Sequence, residues 1–271
     1  MVQSDVHAEG TREVLRAGLE GAEGELLLVN PSREMVRELV DTYSEPDSLP
    51  PVRLFVDERP MKDLTDDFLV ASNLADLVDG GSFEIRTLSA VPRHSLLLTA
   101  EFVVSVVQGE AVAGLTTRDE EFVSSTYGEY ERRWEEAKRF SLRTPPLSEI
   151  RESLEAEIGP DAVADFDRIV QTLETGTNGG NGLDEVTIAL LVAANNGELL
   201  YDISRWGEDI RLASKATFSR NKNRLEEAGL IDTEKVPIDV GRPRLRLLLN
   251  HGAVQAPGIE EVAQQAKKEL T

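Results

Sequence analysis

The apolar positions of the first 140 residues fall into short continuous runs separated by stretches of helical period. After Ser4, a candidate N-cap, residues 5–21 carry Val6, Val14, Leu15 and Leu19 at the spacing of one helix face. Residues 25–29 (ELLLV) and Val52–Val56 (VRLFV) are runs of the kind that make buried strands. Each is followed by a helical pattern, Arg33–Tyr43 after the break Asn30-Pro31-Ser32, and residues 63–78 before the stop at Gly80-Gly81. Residues 83–88, 95–99, 102–107 and 111–115 predict four more strands, and 119–140 a closing helix. The order α-β-α-β-α-β-β-β-β-α implies a mixed α/β domain over residues 1–144, with an early parallel sheet and later hairpin-connected strands.

Pro145-Pro146 marks a boundary. Residues 148–158 and 161–174 read as two helices separated by Gly159-Pro160. The second aligns Val163, Phe166, Ile169 or Val170, and Leu173 on one stripe, to be packed on the first domain or, preferably, to form a dimer seam. Residues 175–182 (TGTNGGNG) have the composition of a flexible connection, so 145–182 is expected to be a helical linker. The tail, 251–271, predicts a helix over Ile259–Leu270 whose Ile259, Val262, Ala266 and Leu270 could join the same seam.

Residues 183–250 follow a different plan. Asp184 can cap a helix bearing Val186, Leu190, Leu191 and Ala194 and ended by Asn196-Gly197. A short helix over 200–208 leads through Ile210 and Leu212 to Ser214, the N-cap of a third helix over 215–228 that Gly229 stops. Ile231–Val236 and Arg244–Leu249 then predict a hairpin around Pro237, Gly241 and Pro243. Helix, helix-turn-helix and hairpin in this order make a winged helix-turn-helix.

Charge changes this picture. Acidic residues outnumber basic ones 50 to 29, for a net charge of -21, and Arg outnumbers Lys 22 to 7. Such a surface repels itself and repels nucleic acid, unless salt shortens the screening length to about 3 Å near 1 M; the expectation is a halophile's protein. The deficit sits in residues 1–182, at net -19, whereas residues 211–246 hold nine basic and five acidic side chains. A basic island on so acidic a chain points to an anionic partner, double-stranded DNA.

The third helix fits that partner. Its Phe218, Leu225 and Ala228, with Asn221 between them, face inward at about 100° per residue. The opposite side presents Ala216, Ser219, Asn223 and Arg220, with Lys215 and Lys222 on one flank and Arg224 on the other. Small residues admit the groove, Arg and Asn read guanine and adenine, and flanking cations meet phosphates. Ser214 and Thr217 in the first turn belong to the same surface. In the wing, Gly241-Arg242-Pro243-Arg244 is narrow and cationic, suited to a minor groove, and Arg244 and Arg246 alternate with Leu245 and Leu247. The alternative is a solvated amphipathic helix in a winged helix that docks another regulator.

The segment 213–231 (ASKATFSRNKNRLEEAGLI) followed by GRPRLRL resembles winged-helix transcription factors of archaea. With LLLVNPSREMVREL, RLFVDE and SRWGEDI, the chain over residues 1–250 resembles the haloarchaeal transcriptional regulator TbsP family. The resemblance implies a repressor of a central-carbon gene, in glycolysis or gluconeogenesis, in a circuit shared with the sugar-responsive regulator TrmB. It also implies an effector domain similar to the phospholipase D fold. Lys222 departs from generic winged helices, which usually place an apolar residue there.

No enzyme is expected. The phospholipase D superfamily needs His-x-Lys motifs, and His94-Ser95-Leu96 lacks the Lys. No phosphate loop, nucleophile elbow or dinucleotide fingerprint is present. Zero Cys and three scattered His leave no expected metal site or cofactor. The absence of a run of roughly 18–20 apolar residues and of a signal-peptide core in residues 1–20 predicts a cytoplasmic protein without membrane contact. In the first domain, Asn30, Ser32 and Arg33 lie where a strand yields to a helix, Asp57 follows the next strand, and Arg93-His94 precedes a later one. If these strand ends converge they can hold an anionic sugar phosphate; alternatively Ser32 merely caps its helix.

Overall fold

Leu26–Val29 (β2) is an uninterrupted apolar run because both its faces are covered, and all four residues are fully buried. The structure, a computed structural model, describes residues 6–8, 10–44, 49–109, 111–175, 183–239, 241–250 and 258–270. The chain forms two units, Met1–Asp66 with Asn73–Arg143, and Asp67–Ser72 with Thr144–Thr271.

The first unit contains β1 (Val6–Ala8), α1 (Thr11–Glu20), β2, α2 (Arg33–Tyr43), β3 (Val52–Val56) and α3 (Glu58–Thr65). It continues through α4 (Phe68–Asp79), whose first residues group with the second unit, to β4 (Phe83–Thr87), β5 (Ser95–Leu98), β6 (Val103–Gln108), β7 (Val112–Thr117) and α5 (Glu120–Glu136). The strands form one mixed sheet in the order β1-β7-β6-β5-β2-β3-β4. β2, β3 and β4 are parallel, β5 to β7 form an antiparallel meander, and β1 closes the edge beside β7. α5 lays Val123, Tyr130 and Trp134 on the face that carries Leu27, Val29, Phe55 and Leu98. α1 lies on the opposite face, so close that a Cβ on Gly18 would stand 2.4 Å from Leu97 Cδ2.

Two expectations are corrected here. Residues 5–21 are not one helix: 6–8 pair with β7, and α1 starts at Thr11 after Gly10, so the Ser4 cap falls outside the described residues. A three-residue strand gains its hydrogen bonds from a partner a hundred residues away, and helical spacing in the sequence cannot register that. The helix expected over 63–78 is two helices. α3 begins at Glu58 because Asp57 accepts the Arg59 amide, and Pro60 is tolerated in the first turn, where amides lack helical partners. Asp67 then accepts the Val70 amide at 3.5 Å and restarts the chain as α4.

The second unit comprises α6 (Leu147–Glu157), α7 (Pro160–Thr175), α8 (Glu185–Asn195), α9 (Leu200–Asp209), α10 (Lys215–Glu227), β8 (Ile231–Val236), β9 (Arg244–Leu249) and α11 (Ile259–Leu270). α8 is apolar all round and buried from Val186 to Ala194, the signature of a central helix. Around it, α6, α7, α10 and α11 close a single core. The stripe on α7 is therefore neither a dimer seam nor a face for the first domain: Phe166, Ile169, Val170 and Leu173 meet α6, α8 and α11 of their own chain. The region 145–182 is correspondingly no mere linker, since α6 and α7 belong to this core; residues 176–182 lie outside the described ones. Asp165, only 4% exposed, ties α7 to the end of α8 by accepting from Asn195, Asn196 and Arg168.

Candidate nucleic-acid interface

The helix-turn-helix is built by local signals that the structure uses as the sequence suggested. Asp184 accepts the Thr187 amide at 2.7 Å and caps α8. Its same oxygen accepts the Asn221 side-chain amide at 3.0 Å, so the cap of α8 also fixes the middle of α10. Gly197 and Gly229 take positive φ of 66° and 70° where their helices end. Between α9 and α10 the turn uses Arg211 at φ 61°, and Gly207 brings α9 against the buried Phe218 ring. Ser214 accepts the Thr217 amide and lies 3.0 Å from the Thr217 hydroxyl, capping α10.

Side chains on α10 divide as its period requires. Phe218 and Leu225 are fully buried, and Asn221 and Lys222 nearly so. Lys215, Ala216, Ser219, Arg220, Asn223 and Arg224 are exposed. Among the described residues Ser219, Arg220 and Asn223 have no side-chain hydrogen bond or ion pair. The flanking cations differ. Lys215 pairs with Glu208 at 2.8 Å; the hydrogen bond raises the ammonium pKa and lowers that of the carboxyl. Arg224 donates to the Leu270 carbonyl at 3.2 Å.

Lys222 is a correction. Its side chain turns inward and its ammonium binds Glu226 at 2.7 Å, while Glu226 also accepts the Thr233 hydroxyl of β8. Burial pushes the Glu226 carboxyl up, and these bonds outweigh it to hold the group below its usual range. Lys222 thus joins α10 to the wing instead of flanking an exposed face. It replaces an apolar residue by burying its methylene stem and pairing its tip.

The wing is rooted in the same way. Leu247 donates to the Glu198 carbonyl at 2.8 Å, and Leu199 bridges Arg246 beside β9. Arg244 is held down: its guanidinium lies 4.0 Å above the Tyr201 ring and 3.7 Å from Asp202. Arg242 is exposed at the bend beside Gly241, φ 119°, and has no partner among the described residues. Two surface residues were not singled out from the sequence as site residues. Tyr201 is 44% exposed beneath Arg244. Arg211, one of the basic residues of 211–246, is exposed at the turn. Its signal was the missing glycine in a tight turn.

In the first unit the strand ends do converge, because β2 and β3 run parallel and β5 runs against β2. Their polar groups are engaged, however. The Asn30 amide donates to the Pro92 carbonyl at 2.9 Å, Ser32 caps α2 by accepting from Met35, Asp57 caps α3, and Arg33 holds Asp63 at 2.5 Å. Asn30 itself sits at φ 51°, braced by Ser95 donating to its carbonyl. The cleft beside Arg33 and Asp57 measures about 10 Å³, the space of one water. Arg93 and His94 are exposed in the segment before β5. The capping reading of Ser32 accounts for this region without a ligand.

Among the described residues no cluster of His, Asp or Glu is arranged to hold a metal ion, and no helix is long and apolar enough to cross a membrane. No curated protein matches the chain. Among solved structures it is similar to TrmBL2, described as an archaeal chromatin protein with a novel mode of DNA binding, at 17% identity and a TM-score of 0.36. That likeness covers 51% of this chain, which spans about half the other's length, 55%. Two family models divide the chain where the structure does: "Transcriptional regulator TbsP-like, N-terminal" matches residues 3–145, and "Transcriptional regulator TbsP-like, C-terminal HTH domain" matches residues 146–267. Spanned by both, and carrying a winged helix-turn-helix in the second, the chain belongs to the TbsP-like family of DNA-binding transcriptional regulators.

Proposed function

We propose that this protein is a sequence-specific repressor that acts as a homodimer, lays α10 in the major groove and sets Arg242 in the adjoining minor groove. The observation that supports this is the outer side of α10, where Ser219, Arg220 and Asn223 are exposed without partners of their own. In this reading Arg220 and Asn223 read base edges, while Ser214, Lys215 and Arg224 contact phosphates. The protein acts by binding and performs no chemistry. Control of a central-carbon gene, and modulation by an anionic metabolite held in the first unit, belong to the same proposal and rest on the family resemblance. The net charge of -21 supports a salt-rich cytoplasm as its setting, where phosphate contacts weaken and base contacts carry more of the discrimination.

Fluorescence anisotropy with promoter fragments, repeated across KCl concentrations, tests this. The expected result is saturable, sequence-dependent binding in molar KCl to a pseudo-palindrome with half-sites about one turn apart, and raised transcription of the target when the protein is deleted. A folded chain that prefers no fragment at any KCl concentration would overturn the proposal in favour of a winged helix that docks another protein.

A further inference from the structure

We propose that the first unit binds a short monocarboxylate, a 2-oxo or 2-hydroxy acid of about three to five carbons, between α1 and the β6–β7 hairpin. The cavity there measures about 70 Å³, several times the roughly 10–15 Å³ that one water requires. Val14, Ala17 and Gly18 of α1 form one wall, facing Phe102 and Val104. Thr116 and Arg118 complete the lining. None of these residues belongs to the strand-end cluster around Asn30.

The sheet register explains why polar groups meet an apolar cleft here. Val104 pairs directly with Thr116 across β6 and β7. Phe102 and Arg118 lie one two-residue step along the same face, which sets the Arg118 guanidinium 5.1 Å from the Phe102 ring centroid. Among the described residues neither the Arg118 guanidinium nor the Thr116 hydroxyl has a hydrogen bond or ion pair. Arg33, Arg53 and Arg86 of the same unit each hold a carboxylate, whereas Arg118 holds none among the described residues and lines the cavity.

These groups define the ligand. A guanidinium offers two parallel N–H donors to one carboxylate, and the Phe102 ring stacks behind that of Arg118. The Thr116 hydroxyl can donate to a 2-oxo group or accept from a 2-hydroxy group. The apolar walls take a short hydrocarbon body. A single cation matches a single negative charge, whereas a phosphate dianion gathers several donors. Any consequence for DNA rests on the metabolite-sensing part of the proposed function; binding itself is read on the protein alone.

Isothermal titration of the full chain with pyruvate, lactate, 2-oxobutyrate and 2-oxoisovalerate, and with inorganic phosphate as the contrast, tests the site. One molecule of acid is expected to bind per chain, about tenfold or more weaker in Arg118→Gln. Binding should also be lost in Ala17→Glu, which sets a carboxylate at the mouth. Both positions are exposed, so the variants should melt with the parent and loss of binding reads the site. No binding of any acid, binding undiminished in both variants, or Arg118-dependent binding of phosphate as tight as that of the acids would each overturn the proposal. If an acid binds as expected but leaves operator affinity unchanged at saturation, the site stands and the sensing role fails.

Discussion

At the strand ends of the first unit, Arg33 grips Asp63, Asn30 donates to Pro92, and Ser32 and Asp57 are caps. On the outer side of α10, Ser219, Arg220 and Asn223 have no partner among the described residues. The residue types are much the same in both places, and both look like binding surfaces along the sequence. The difference is that the first cluster is what the local fold needs to close helix ends and turns, whereas α10 is already capped by Ser214 and packed by Phe218 and Leu225. Groups left over after a fold has satisfied itself are those available to a ligand. The same test separates Arg118 from Arg33, Arg53 and Arg86, and Arg242 from Arg244.

The comparison can be broken most forcefully by moving α10 itself. A Cβ on Gly207 would stand 2.4 Å from two atoms of the fully buried Phe218 ring. Gly207→Ala should therefore destabilise the second unit by about 1–3 kcal/mol and weaken operator binding, measured by urea unfolding and anisotropy. Gly128→Ala in α5, where nothing lies within 4 Å, should instead gain about 0.5–1 kcal/mol from helix propensity.

Next in size is Arg220→Ala. It should remove about 1–3 kcal/mol of discrimination, read as converging affinities for operator and scrambled DNA at fixed KCl, with unchanged melting. Arg33→Ala should leave DNA affinity intact and shift stability by no more than about 1 kcal/mol, the worth of an exposed pair.

Lys222→Met sharpens the comparison within α10. Because Lys222 faces Glu226 inside the wing junction, operator affinity should stay within about twofold. Stability should change by less than about 1 kcal/mol, since Glu226 keeps Thr233 and some exposure.

The smallest effect concerns Glu185. Burial lifts its carboxyl above the usual range, and neighbouring Asp184 adds to the lift. The folded state therefore holds that proton more firmly than the unfolded one, and stability falls as pH rises through the raised pKa. Glu185→Gln should stabilise the second unit at neutral pH. It should give no gain well below the ordinary carboxylate range, where Glu185 is protonated in both states. Urea titrations at the two pH values measure this.

Much of the second unit was legible because its signals are local. The wing strands keep their predicted bounds, Asp184 and Ser214 cap the helices they precede, and Gly229 ends α10. Capping and turn geometry depend on a few neighbouring residues, so sequence suffices for them. Less was legible where a choice depended on distant partners. β1 needs β7, and the break between α3 and α4 turns on Asp67 capping where one helix could have continued. The α7 stripe shows that a face is buried without showing against what. Helical period puts Lys222 on the outer flank, yet Glu226 one turn later, itself held by Thr233 of β8, draws it in.

The order of residues by itself determined the alternation of elements, the winged helix-turn-helix and the side of α10 that carries Arg220 and Asn223, since helix period and end chemistry are short-range properties. Only the tertiary structure decided which cations remain unpaired, where the α7 stripe is buried and that Thr116 and Arg118 face an apolar cleft. Those outcomes depend on contacts between residues far apart in the chain, which no local period encodes.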